Sequence, residues 1–206
     1  MSYNVSLPSY SVGTDVYKLV GSICAGYGHK AVAIGGHKAM AAVKDKLCKA
    51  IIDSDIEISD FIWYGGEASY ENVENLMSLE TVRNADMLFA IGGGKATDTV
   101  KTLADMTGKP VFTFPTIASN CSSCTSVSIM YKNNGIFLKP HFFANPPAHA
   151  FIDTEIIADS PKRYMWAGIG DTYAKHFESS ISSRGEEVPH YIALGVNIAR
   201  MCYEPM

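Results

Sequence analysis

Along the chain, short runs of apolar and β-branched residues alternate with stretches whose apolar positions recur at helical spacing, a pattern that predicts βαβ units around a parallel sheet. The predicted order is a helix over 14–27, a strand over 30–34, a helix over 38–50, a strand over 56–63 and a helix over 70–83. An apolar strand then begins at Asp86 and runs into Gly92-Gly93-Gly94, which opens a helix ending near Gly108. Residues 110–115 form another short buried strand, and the loop 116–124 leaves its C-terminal edge, where ligands sit in open α/β sheets. Two extended runs, 126–131 and 136–142, flank Lys132-Asn133-Asn134-Gly135 as a β-hairpin, and 148–153 is one more strand.

From Thr154 the pattern turns wholly helical, with helices expected over 154–159, 161–180 and 189–204. The expected division is an α/β domain over 1–158 and the start of a helical domain over 159–206. The last helix carries Tyr191, Leu194, Ile198, Met201 and Cys202 on one stripe, and no later element of the chain covers it. Such a stripe is expected to drive association into a homo-oligomer, or aggregation, unless another segment covers it.

Composition narrows the partners. The formal net charge is −4 and no run of five basic residues occurs, which argues against nucleic acid and against an anionic membrane surface. No apolar stretch approaches the roughly 20 residues that span a bilayer, and the N-terminus lacks the basic and apolar regions of a signal peptide, so a cytoplasmic location is expected. Five scattered cysteines fit reduced thiols better than a disulfide framework.

The chemistry centres on Gly92-Gly93-Gly94-Lys95. Glycines let a backbone approach a ligand closely, the following helix aims unpaired N–H groups and its positive dipole end at an anion, and Lys95 adds a full charge. The motif is neither Gly-x-G-x-x-Gly nor a Walker loop, and a turn that uses glycine only to bend is the alternative.

Five segments in order, 92–101 (GGGKATDTVK), 114–119 (FPTIAS), 127–131 (VSIMY), 152–157 (IDTEII) and 167–171 (AGIGD), resemble the glycerol dehydrogenase branch of the metal-dependent, group III alcohol dehydrogenases. The resemblance covers the N-terminal half of a family member. It implies a Rossmann-like, dehydroquinate synthase-like α/β domain with a β-hairpin insertion, followed by the first helices of a truncated all-helical domain. It further implies NAD or NADP as hydride carrier, a divalent metal (zinc or iron) that polarises the alcohol oxygen, and a small alcohol, polyol or 2-oxo/2-hydroxy acid as substrate. Carried over, Gly93, Gly94 and Lys95 look like a pyrophosphate cradle, Asp98 like a group near the nicotinamide end, and Thr116, Ser119, Thr125, Val127 and Tyr131 like further dinucleotide contacts. Asp171 resembles the carboxylate metal ligand, although an ordinary helix pair with Lys175 would account for it without the family.

The chain also departs from the family. NAD-using members commonly place an aspartate after the second strand, whereas this chain reads Ile34-Gly35-Gly36-His37, which admits NADP, with His37 or Lys38 able to supply positive charge. Cys121 stands where glycerol-using relatives carry a substrate-facing aspartate, so the loop looks more like that of the hydroxycarboxylate dehydrogenase-like subgroup. The family's two metal-binding histidines lie in its second half, and none of the six histidines here matches them. His176, five residues after Asp171, falls about 140° around a helix and cannot substitute; His149 and His190 read as ordinary core or surface residues. Reduced catalysis is therefore expected of this chain taken alone. Two other readings compete: a non-catalytic dinucleotide-binding fragment that needs a partner chain, and a thiol redox module built on Cys121-Ser122-Ser123-Cys124.

Overall fold

The computed structural model describes residues 6–185 and 187–202. Six strands form one parallel sheet: β1 (Tyr10–Gly13), β2 (Lys30–Gly35), β3 (Glu57–Trp63), β4 (Met87–Gly92), β5 (Val111–Pro115) and, after the hairpin, β8 (His149–Asp153), ordered β1-β8-β5-β4-β2-β3. β4 is buried along its whole length, as the unbroken apolar run 87–91 requires of a central strand covered on both faces. β6 (Val127–Tyr131) and β7 (Phe137–Phe142) pair antiparallel as the expected hairpin, with Gly135 at φ +81° in its turn.

On one face, α1 (Val20–Cys24) and α2 (His37–Ala50) cover Tyr17, Phe89, Phe112, Phe114 and Phe151, whose rings meet edge-on, tilted or stacked. On the other, α3 (Tyr70–Ser78), α4 (Glu80–Asn84) and α5 (Gly94–Thr107) bury Val73, Leu76, Val82, Val100 and Leu103 against Val32, Ile34 and Leu88. Each fully buried side chain of this size contributes about 1.5–3 kcal/mol of transfer free energy. α6 (Thr154–Ala158), α7 (Lys162–Ser182) and α8 (His190–Met201) follow β8. No helix among the described residues is long and apolar enough to cross a membrane.

Several elements differ from the sequence expectation. The helix expected over 14–27 is three short pieces, a 3₁₀ turn at Val16–Leu19, α1, and a second 3₁₀ turn at Ala25–Tyr27. Gly21 lies so close to Ser54 that an added Cβ would stand 2.6 Å from the Ser54 Cβ, and Gly28 at φ +127° ends the segment. The helix expected over 70–83 is α3 plus α4, broken where Leu79 turns extended at ψ 133°. β1 was not expected: four residues that pair with β8 and leave Tyr10 and Val12 exposed carry too little apolar signal to be read alone. The expected helix end at Glu204 lies outside the described residues.

Candidate functional site

The strand order reverses between β4 and β2, and both strands end there in glycine. Gly35 lies against β4, and a Cβ at this position would stand 2.2 Å from the Ile91 carbonyl oxygen, so only glycine fits. Gly92 takes φ +144°, a conformation that side chains avoid. α2 and α5, each 14 residues long, start from Gly36 and Gly93, which supply no capping side chain. α3 and α6, by contrast, are capped by Ser69 Oγ and by the Asp153 carboxylate. Two uncapped helix N-termini thus meet in one crevice at the C-terminal edge of the sheet, a donor-rich, electropositive setting for an anion.

The loop after β5 forms the opposite wall. An added Cβ on Gly93 would stand 2.5 Å from Ile117 Cδ1, and one on Gly94 would stand 2.6 Å from Asn120 Nδ2. The glycines are therefore needed as much for this loop to close over the turn as for a ligand to approach. The Thr116 backbone N–H donates to the Gly92 carbonyl (3.3 Å), which ties the loop to the turn; Thr116 is buried and Ser119 half-buried beside it.

Lys95 reaches Glu67, with 2.6 Å between Nζ and Oε2. This hydrogen bond holds the Lys95 ammonium above the usual lysine range. Tyr131 sits beside the pair and donates its backbone N–H to the Ala68 carbonyl at 2.7 Å. Glu67 was missed in the sequence; the only signal was the glycine pair before it, Gly65 and Gly66, both at positive φ.

Asp98, Thr125 and Val127 converge on a different task. The Asp98 carboxylate accepts from Ser122 Oγ (2.6 Å) and the Ile129 N–H (3.1 Å) and pairs with the Lys101 ammonium at 3.1 Å. Lys101 is 2% exposed and also donates to the Ser122, Thr125 and Val127 carbonyls. Burial pulls its ammonium below the usual lysine range, against the pull of Asp98. The expectation of Asp98 near a nicotinamide has to be set beside this geometry, in which both carboxylate oxygens are engaged inside a joint between α5, the loop and the hairpin. Lys101, the cation of that joint, was also missed; a lysine within an amphipathic helix reads as surface.

Next to this joint lies a cleft of about 350 Å³ lined by Asn120, Cys121, Met165, Asp171, Lys175 and Cys202, among others. It exists because Gly168 of α7 touches the loop, where a Cβ would stand 1.9 Å from the Ala118 carbonyl oxygen. Gly170, two residues further on, has open space around it. Asp171 pairs with Lys175 at 3.1 Å, and Lys175 also reaches Glu178 at 3.2 Å. No group of three His, Cys, Asp or Glu side chains able to hold a metal occurs among the described residues, and Asp171, the expected carboxylate ligand, is paired with a lysine. Burial, then the Asp171 charge, pushes the Cys121 thiol up, opposite to what a redox thiol requires.

A larger groove of about 650 Å³ lies at the other edge of the sheet, among Tyr27, Asp105, Lys109, Phe143 and the 144–148 segment. The C-terminus of α5 and Asp105 face it, and the Lys109 ammonium is committed to the Arg83 and Ala85 carbonyls. Lys101 also lines it, and both ammonium groups donate to backbone carbonyls, so the groove offers neither a helix N-terminus nor a free donor to a phosphate. His149 is a buried bridge to Ser9 Oγ (2.7 Å) and Ser11 Oγ (2.9 Å) of the β1 segment. His37, the first residue of α2, stacks on Trp63 with ring centroids 5.5 Å apart.

An open parallel sheet with helices on both faces and two glycine-opened helices at its switch point defines a doubly wound α/β domain. Residues 8–154 match the family model described as iron-containing alcohol dehydrogenase, and the chain belongs to that family. It is 38% identical over 148 residues to the glycerol dehydrogenase of Thermotoga maritima, covering 69% of this chain and 40% of that protein. It is 33% identical over 172 residues to the hydroxycarboxylate dehydrogenase A of Escherichia coli, covering 83% of this chain and 46% of that protein. Among solved structures, a probable glycerol dehydrogenase from Sinorhizobium meliloti superposes with a TM-score of 0.82 at 26% identity, over 98% of this chain and 56% of that one. The chain thus spans about half the length of the relatives it matches.

Proposed function

We propose that the crevice between β2 and β4 binds the pyrophosphate of a nicotinamide dinucleotide, and that the chain serves an NAD(P)-dependent oxidoreductase acting on a small alcohol, polyol or 2-hydroxy acid. The observation that carries this reading is the meeting of two uncapped helix N-termini, at Gly36 and Gly93, in one crevice with Lys95 at its rim. Gly93, Gly94, Lys95, Thr116 and Ser119 are its proposed contacts, with Tyr131 behind Lys95. Asp98, Thr125 and Val127 serve it indirectly, through the Lys101 joint that holds the loop. The bound cofactor would supply the hydride acceptor; the protein's own part is to hold and orient it.

The absence of an acid at Gly35-Gly36, with His37 stacked on Trp63 beside it, favours NADP over NAD, because a carboxylate there would repel a 2′-phosphate. The cleft at Cys121 is the proposed substrate side. With a neutral thiol there and the Lys175 ammonium on its wall, it suits a carboxylate-bearing 2-oxo or 2-hydroxy acid better than an aspartate at that position would. Asp171 is the one residue offered for a divalent metal, and further ligands would have to come from chain outside the described residues. The segment 159–206 is proposed as part of a helical domain, and its apolar faces as the source of homo-oligomerisation.

The test is to titrate the purified protein with NADPH and NADH while following nicotinamide fluorescence, alongside Lys95→Met. Saturable binding that prefers NADPH and weakens about tenfold in the variant is expected. No binding up to millimolar cofactor would refute the reading.

A further inference from the structure

We infer that Glu67 is a built-in competitor of the anionic ligand for Lys95, a residue that sets how tightly the crevice holds a pyrophosphate group. The inference rests on the dinucleotide reading of that crevice and adds a determinant on a separate loop.

The pair is asymmetric. The Lys95 side chain is 57% exposed on a flexible stem, whereas the Glu67 side chain is 12% exposed. Glu67 is fixed by its loop: Gly65 and Gly66 take φ +99° and +94°, and a Cβ on Gly65 would stand 2.3 Å from Asn72 Cγ. Asn72 Nδ2 donates to the Glu67 carbonyl at 2.8 Å, Tyr64 Oη to the Gly66 carbonyl at 2.9 Å, and the Ala68 N–H to Glu67 Oε1 at 3.0 Å. The carboxylate therefore stays while the lysine is the part able to swing. With Glu67 in place the two charges cancel, and the attraction left for an anion is that of the helix N-termini, about half a charge each. An arriving pyrophosphate must share Lys95 with a carboxylate that cannot retreat, so both the lost attraction and the direct repulsion lower affinity. An ordinary surface ion pair would have neither a fixed, mostly buried acid nor a position at the mouth of the crevice.

The experiment compares wild-type protein with Glu67→Gln, which keeps the Ala68 acceptor and the side-chain volume. Glu67→Ala serves as a second variant should Glu67→Gln fold poorly by circular dichroism. Each is titrated with NADPH by fluorescence and with inorganic pyrophosphate by calorimetry. Binding of pyrophosphate about fivefold tighter in the variant, with the gain shrinking as salt rises, is the expected result. Equal or weaker pyrophosphate binding by a folded variant would overturn the role of Glu67, whatever NADPH does. A pyrophosphate gain without NADPH binding by either protein would instead leave Glu67 as the competitor and overturn the dinucleotide reading.

Discussion

α5 and α7 enter the same site from opposite sides and are held in opposite ways. α5 buries nine consecutive residues, Ala96 to Ala104, whereas none of the 21 residues of α7 is buried. α5 therefore belongs to the buried core, and the proposed phosphate end of the crevice is built on it. α7 is seated on that core at Gly168 and leaves Trp166 76% and Ile181 70% exposed. The cleft at Cys121 and Asp171, the proposed substrate side, depends on that lighter seat. Cofactor binding should thus be robust where the geometry of the cleft is not.

The contrast breaks most visibly in the core. Phe114→Ala, which removes a ring in contact with Tyr17, Phe89 and Phe151, should cost about 3–5 kcal/mol in urea unfolding, while Trp166→Ala on α7 should stay within about 0.5 kcal/mol. Equal losses would mean that α7 is part of the same cooperative unit. Next in size is the joint under the loop. Lys101→Met leaves the Asp98 carboxylate buried without its cation and should cost about 3 kcal/mol, part of which returns when Asp98→Asn is added.

Gly168→Ala should act locally. Its methyl group has no room beside Ala118, so amide exchange in α7 should speed up while exchange in β4 and α5 holds steady. The smallest effect is on pH dependence. Burial pulls His149 below its ordinary value, so just below the usual histidine range the unfolded chain binds a proton that the folded chain does not. Stability from this residue is present above the usual histidine range and is lost as pH falls below it. His149→Gln should flatten the decline of the urea midpoint between about pH 7.5 and 5.5.

Much of the fold was legible because it rests on long, strongly patterned segments: the apolar run 87–91, the hairpin at Asn133-Asn134-Gly135 and the glycine turn all read correctly from local sequence. β1 and the break at Leu79 were not, since both are decided by partners distant in sequence or by a single ψ angle. For the site, the glycines and Lys95 were visible, but what they touch was not. Glu67 and Lys101 gain their roles only when the loops at 65–69 and 122–127 close over α5. Local sequence also hides that Asp98 faces this joint, because a helical position gives a direction but no neighbour.

The most direct test of where the cofactor sits is hydrogen–deuterium exchange with and without saturating NADPH. The account predicts protection at residues 35–38, 92–96 and 116–120, and little change in α8 or in the groove at 143–148. Protection confined to that groove, or absent from both glycine turns, would contradict it.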